Sequence, residues 1–176
     1  MLRSKRDGKP GQALVEFALI APIFFLLLFS IIQLGLLFGA QNGLVNGVRD
    51  TTRRAATYRV NELSLQNFSL PGICTILIDE LEERLSKQIP GFVVGNLQPA
   101  PVLAYEWKTN NDNPPTYFLV AHLTVSYRHP LYVPLVNLFI DGVDGSTDGT
   151  LRLDATEQMR VENPDLETIG TDQTCP

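Results

Sequence analysis

The chain of 176 residues has room for one modest domain and an anchor, and its overall balance is ordinary: 44% hydrophobic, 19% charged, formal net charge -5. The charge is unevenly spread, because Arg3, Lys5, Arg6 and Lys9 face only Asp7 within residues 1–11 while the rest of the chain is acidic. An acidic body argues against a nucleic-acid partner. No Gly-rich phosphate loop, Ser-His-Asp set or zinc-ligand spacing is present, so nothing supports an enzyme, a cofactor or a metal site.

After Glu16 the next charged residue is Arg49. Between them, Phe17 to Ala40 is apolar except for Pro22, Ser30, Gln33, Gly35 and Gly39. As a helix this stretch rises about 36 Å, enough to cross a hydrocarbon core of ~30 Å with some tilt. A buried core helix would not be apolar on every face. A signal peptide has an apolar region of only roughly 7–15 residues and small residues at its cleavage site, which Leu37, Phe38, Gly39 and Ala40 match poorly. The basic cluster ahead of the run predicts a single pass with a cytoplasmic N-terminus and an extracytoplasmic C-terminal region. Pro22 lies too far inside to start the helix and is expected to loosen or kink it.

The helix is expected to continue to Tyr58, with Leu44, Val48, Thr51 or Thr52, and Ala55 at helical spacing. Gly43 and Gly47 each lower helix propensity by about 1 kcal/mol, which predicts a kink near the outer interface. Gly35, Gly39, Gly43 and Gly47 repeat every fourth position. That stripe is either a close-packing face in lipid or neutral.

Residues 59–72 read as a loop ending in Pro71-Gly72, and a second helix follows over 73–88. Ile73, Ile76, Leu77, Leu81, Leu85 and Ile89 form its apolar face. Asp79, Glu80, Glu82, Glu83 and Lys87 fill the other face, most simply a solvated one, and Pro90-Gly91 stops the helix. The period then changes to two, with strands expected at 92–95, 101–108, 116–128 and 150–161. In YFLVAHLTVSYR, Tyr117, Leu119, Ala121, Leu123, Val125 and Tyr127 share one face. The last strand alternates Leu151, Leu153 and Ala155, then Met159 and Val161, and NNDNPP (110–115) is a turn. The prolines of HPLYVPLVNLF (129–139) exclude a regular central strand, so the segment covers either the sheet edge or a subunit contact. An antiparallel sheet packed on the second helix gives an α+β domain behind the long helix. The tail from Asn163 is polar and expected to be loose.

Few residues could carry chemistry. His122 sits on the polar face of its strand and His129 precedes Pro130, neither with a nucleophile or metal ligand at recognisable spacing. Asp141, Asp144 and Asp148 lie among glycines without the calcium-loop register, and read as a plain turn-rich loop. Cys74 and Cys175 both fall on the predicted outer side, where a disulfide is permitted. Such a bridge would stabilise by up to about 4–5 kcal/mol on the loop-entropy model. Two free thiols, or bonds to a partner chain, are the alternatives.

Gly11, four residues, Glu16, then Phe17 and a long apolar helix resemble a class III prepilin-peptidase site. The fuller string GQALVEFALIAPIFFLLL, with Pro22 and RRAATY (53–58), resembles the TadE-like family of pseudopilins from tight-adherence pilus systems. The resemblance covers about residues 11–58. It implies a pilin-like fold and no catalysis by this chain. A prepilin peptidase would cut between Gly11 and Gln12, leaving a leader of 1–11, a transmembrane helix with its extension over 12–58, and an extracytoplasmic α+β domain over 59–176. The implied partners are that peptidase, other pilins or pseudopilins, the pilus assembly platform and the lipid bilayer. The implied role is assembly or priming of an Flp-type pilus. Gln12 would gain a new α-amino group, cationic at neutral pH, one helical turn from Glu16. Glu16 would then be neutralised by that amine or by a neighbouring subunit's amine, or would simply stay in the headgroup region with no partner. The alternative function is an unprocessed single-pass anchor displaying a binding domain.

Overall fold

The computed structural model describes residues 10–57, 71–110, 112–162 and 172–175. The basic leader up to Lys9, most of the loop expected over 59–72 and the tail over 163–171 lie outside the described residues. Helix α1 runs from Pro10 to Thr57, 48 residues, and rises about 72 Å. Pro10 opens it at a position whose N–H would have no helical partner. α1 is one unbroken helix through Pro22 and through Gly43 and Gly47, the positions at which loosening or a kink is expected. Gly43 and Gly47 are buried against a second helix, and that packing offsets their low propensity.

Helix α2 spans Pro71–Gln88, so the breaker pair expected to end the loop instead opens the helix. Leu77, Leu81, Leu85 and the following Ile89 are buried. Ile76, placed by sequence on the same face, is exposed, and Cys74 takes the inner position one turn before Ile78. Gly91, at φ 70°, turns the chain after the helix. The strand expected at 92–95 does not form, and Val94–Asn96 is a 3-10 turn. Its valines are exposed and only Leu97 bridges to Tyr127, leaving too short a run to join a ladder.

Strands β1 (Val102–Asn110), β2 (Thr116–Pro130), β3 (Thr150–Arg160) and β4 (Gln173–Thr174) form an antiparallel sheet in the order β3-β2-β1-β4. Alternation selects the buried face: Leu119, Ala121, Leu123, Val125 and Tyr127 of β2 point inward with Leu103 and Tyr105 of β1 and Leu153 and Ala155 of β3. The part of the tail from Asp172 is not loose, because β4 pairs with β1 and Cys175 is bonded to Cys74. Between β2 and β3, helix α3 (Pro134–Ile140) replaces the irregular cover expected over 129–139. Pro134 begins a helical turn there rather than only preventing a strand.

The core is not made by the sheet and α2 alone. Ala40, Leu44, Val48 and Ala55 of α1 join it, and α1 lies along β2 and β3 as well as against α2. Two hydrogen bonds fix the alignment of α1 with β3: Gln41 Nε2 donates to the Asp154 carbonyl (3.2 Å), and the Glu162 N–H to the Ala56 carbonyl (3.1 Å). From Gln41 to Ala56 the helix rises about 22 Å, and from Asp154 to Glu162 the strand rises about 26 Å. The two elements therefore run side by side in the same direction. The architecture is α+β, a long apolar N-terminal helix whose C-terminal half is built into a small domain with a four-stranded antiparallel sheet.

Candidate functional site

The start of α1 carries the residues singled out by sequence. Gly11 is helical, and a Cβ added there would meet nothing within 4 Å. Gln12 and Glu16 lie one turn apart on the exposed surface, and Gln12 Nε2 donates to Glu16 Oε1 at 3.1 Å. The α-nitrogen of Gln12 therefore belongs to the turn that carries Glu16. With α1 beginning at Pro10, Glu16 lies beyond its first turn and would come into the first turns only in a chain that starts at Gln12. Phe17 is exposed, as are Leu19, Ile20, Ile23, Phe24 and Leu27 on different faces of the helix. Among the described residues one helix, Gly11–Thr57, is long and apolar enough to cross a membrane, and none of its most apolar window is buried. The structure thus fits a single-pass membrane protein.

The glycine stripe divides in two. At Gly35 and Gly39 an added Cβ would meet nothing within 4 Å. At Gly43 it would stand 2.8 Å from the Gln88 carbonyl oxygen, and at Gly47 2.6 Å from Leu85 Cδ2. The latter pair serves the α1–α2 contact inside the domain. Arg54 Nη1 and Arg84 Nη2 both donate to Glu80 Oε1, at 2.7 and 2.9 Å, so part of the acidic face of α2 is tied to α1. Cys74, in the first part of α2, is joined to Cys175 beside β4 with Sγ–Sγ 2.04 Å.

Sequence reasoning missed a second polar fixture. Gln33, in the middle of the apolar run, is fully buried. Its Oε1 accepts from the Tyr132 N–H (3.0 Å) and the Val133 N–H (3.2 Å), the backbone leading into α3. A lone amide in an otherwise apolar helix was the available signal. The domain therefore grips α1 from Gln33 onward and leaves the helix before it uncovered.

The remaining polar residues are structural. Asp141 accepts from the Gly149 N–H, Asp144 from Ser146 and the Arg152 N–H, and Asp148 from Thr150 and Arg128. Hydrogen bonds from Ser146 to Asp144 and from Thr150 to Asp148 hold both carboxyls below the usual carboxylate range. His122 Nδ1 stands 4.0 Å from Glu106, while His129 is buried with neither ring nitrogen hydrogen-bonded among the described residues. Among the described residues no group of three or more His, Cys, Asp or Glu is placed to hold a metal ion.

A long exposed apolar helix carrying a small α+β domain on its far half fits a single-pass membrane protein. The family model for TadE-like proteins matches residues 11–53, so this stretch of the chain is similar to that family. No curated protein and no solved structure matches the chain. The matched stretch spans both the uncovered part of α1 and most of the part held by the domain, and stops before α2.

Proposed function

We propose that the chain is a membrane-anchored pseudopilin, cut by a prepilin peptidase between Gly11 and Gln12, that acts in assembling or priming an Flp-type tight-adherence pilus. The observation that carries this reading is Gly11-x4-Glu16-Phe17 at the free start of an exposed apolar helix whose sequence is TadE-like. Cutting there converts the Gln12 nitrogen into an ammonium within one turn of Glu16. The first turn of a helix lacks partners for its N–H groups, so unwinding it to present Gly11 in extended form costs little. An α-amine from the same chain or from a neighbouring subunit then neutralises Glu16 where the helix enters lipid, and a neighbour's amine would set subunit register.

The basic leader is held on the cytoplasmic side and the domain is displayed outside. A disulfide between Cys74 and Cys175 supports that side for the domain, since such bonds persist in oxidising compartments. The partners of this reading are the peptidase, other pilins or pseudopilins, the assembly platform and the bilayer.

Co-expression with a prepilin peptidase tests it. The full-length chain should lose its leader, Gly11→Ala should slow the loss, and Glu16→Ala should impair pilus output more than membrane insertion. A chain that keeps its leader beside an active peptidase would instead be an unprocessed anchor displaying a binding domain.

A further inference from the structure

The domain and the apolar surface of α1 overlap. Gln33 receives the backbone of Tyr132 and Val133, so the edge of the domain that carries α3 lies at that level of the helix. The β3 alignment agrees: from Asp154 back to Thr150 is about 13 Å, which on α1 leads from Gln41 to near residue 33. Yet the exposed apolar surface of α1 does not end there. Leu34 is 43% exposed and Phe38 67%, and the exposed surface turns polar only at Asn42. The lipid-type surface thus continues about 8 Å past the domain's edge. That matches the roughly 5–10 Å by which interfacial helices sink their apolar face.

At this edge the domain is itself apolar outside. Val136 of α3 faces inward, while Leu138 and Phe139 are 84% and 70% exposed, and Val143 just beyond is 75% exposed. Residues 131–140 contain no charged side chain. Asp141, which follows, turns its carboxylate onto the Gly149 N–H. This exposed apolar surface, bordered beyond Val143 by Asp144, whose carboxylate accepts from Ser146 and the Arg152 N–H, lies at the same level as a helix surface that is also apolar and exposed, and the occupant continuous with both is the bilayer.

We propose that α3 is a membrane foot: Leu138, Phe139 and Val143 enter the acyl boundary of the leaflet nearest the domain, fixing its tilt and height on the membrane. The inference rests on reading α1 as a membrane span and is independent of cleavage at Gly11. Tilt and height decide which faces of the sheet are presented to neighbouring subunits, so the foot would orient the domain for assembly.

The test uses the full chain in phosphatidylcholine vesicles with brominated or unbrominated acyl chains. Trp107 is the sole tryptophan, and in a W107F background a reporter is placed at Phe139→Trp, at Leu138→Trp, or at Phe24→Trp within the span. Both foot reporters and the span reporter should be quenched about twofold or more by brominated lipid, with Trp107 of the parent chain unquenched. Quenching at position 24 without quenching at 138 or 139 overturns the foot and leaves the span standing, a second protein then covering the face. No quenching at any of the three overturns the span and the foot together.

Discussion

At Gly43 the absence of one methyl group decides whether two helices can touch. A Cβ there would meet the backbone carbonyl of Gln88, which cannot swing aside as the end of a side chain can. Gly43→Ala should therefore lower stability by about 1–3 kcal/mol through overpacking, despite the gain of about 1 kcal/mol in helix propensity. Gly39→Ala, with open space around it, should be neutral or stabilising. Thermal unfolding of the two variants in detergent distinguishes them, and equal effects would refute the packing role. His129 gives a second residue-scale expectation. Burial between the Tyr127 and Tyr132 rings holds its pKa below the ordinary value, because the charged form is penalised. As pH falls below about 6.5 the unfolded histidine takes up a proton before the folded one. Its contribution to stability is thus present at neutral pH and lost as pH falls through that window. The urea midpoint should drop between neutral and mildly acidic pH, and less so in His129→Phe. Neither residue's partner was legible from sequence: the stripe that includes Gly43 reads as close packing in lipid or as neutral, and His129 only as a residue before Pro130 with no ligand or nucleophile at recognisable spacing.

At the scale of elements, the period-two pattern located β2 and β3 well because one face of each is buried, and alternation records that burial. It failed at 92–95, where the apolar residues are exposed and local turn bonds from Asn96 and Leu97 fix the backbone instead. It also gave no sign of α3, a helix too short to show a period. Most importantly, uniform apolarity concealed the change of environment along α1. Lipid and a protein core accept the same side chains, so only Gln33 marks where one gives way to the other. Gln33→Leu should leave the Tyr132 and Val133 N–H groups without that acceptor, at about 1–3 kcal/mol for a buried unsatisfied donor. Hydrogen exchange at those two amides should speed up, and unchanged protection would show that Gln33 does not hold the junction. The disulfide joins the start of α2 to the end of β4 across a sequence separation of 101. Loss of that closure in Cys74→Ser/Cys175→Ser should cost about 4–5 kcal/mol on the loop-entropy model, measured by urea unfolding. β4 should be the first element to lose protection.

For the molecule as a whole, the sequence made the α+β class and the long N-terminal helix legible, because length, apolarity and a change of period survive without tertiary information. It did not reveal that the long apolar helix α1 is also a core helix of the domain. One continuous helix links the segment around Glu16, which a subunit array would bring to a neighbour, to the part of the domain around Ala56. In that setting the pair Gln12 and Glu16, already one turn apart, becomes a charge pair only once a new terminus exists. Intact-mass and N-terminal peptide analysis of the protein from membranes of cells with an active prepilin peptidase measures this directly. The expected chain begins at Gln12, free or cyclised to pyroglutamate. A chain that retains residues ahead of Gly11 would contradict cleavage there.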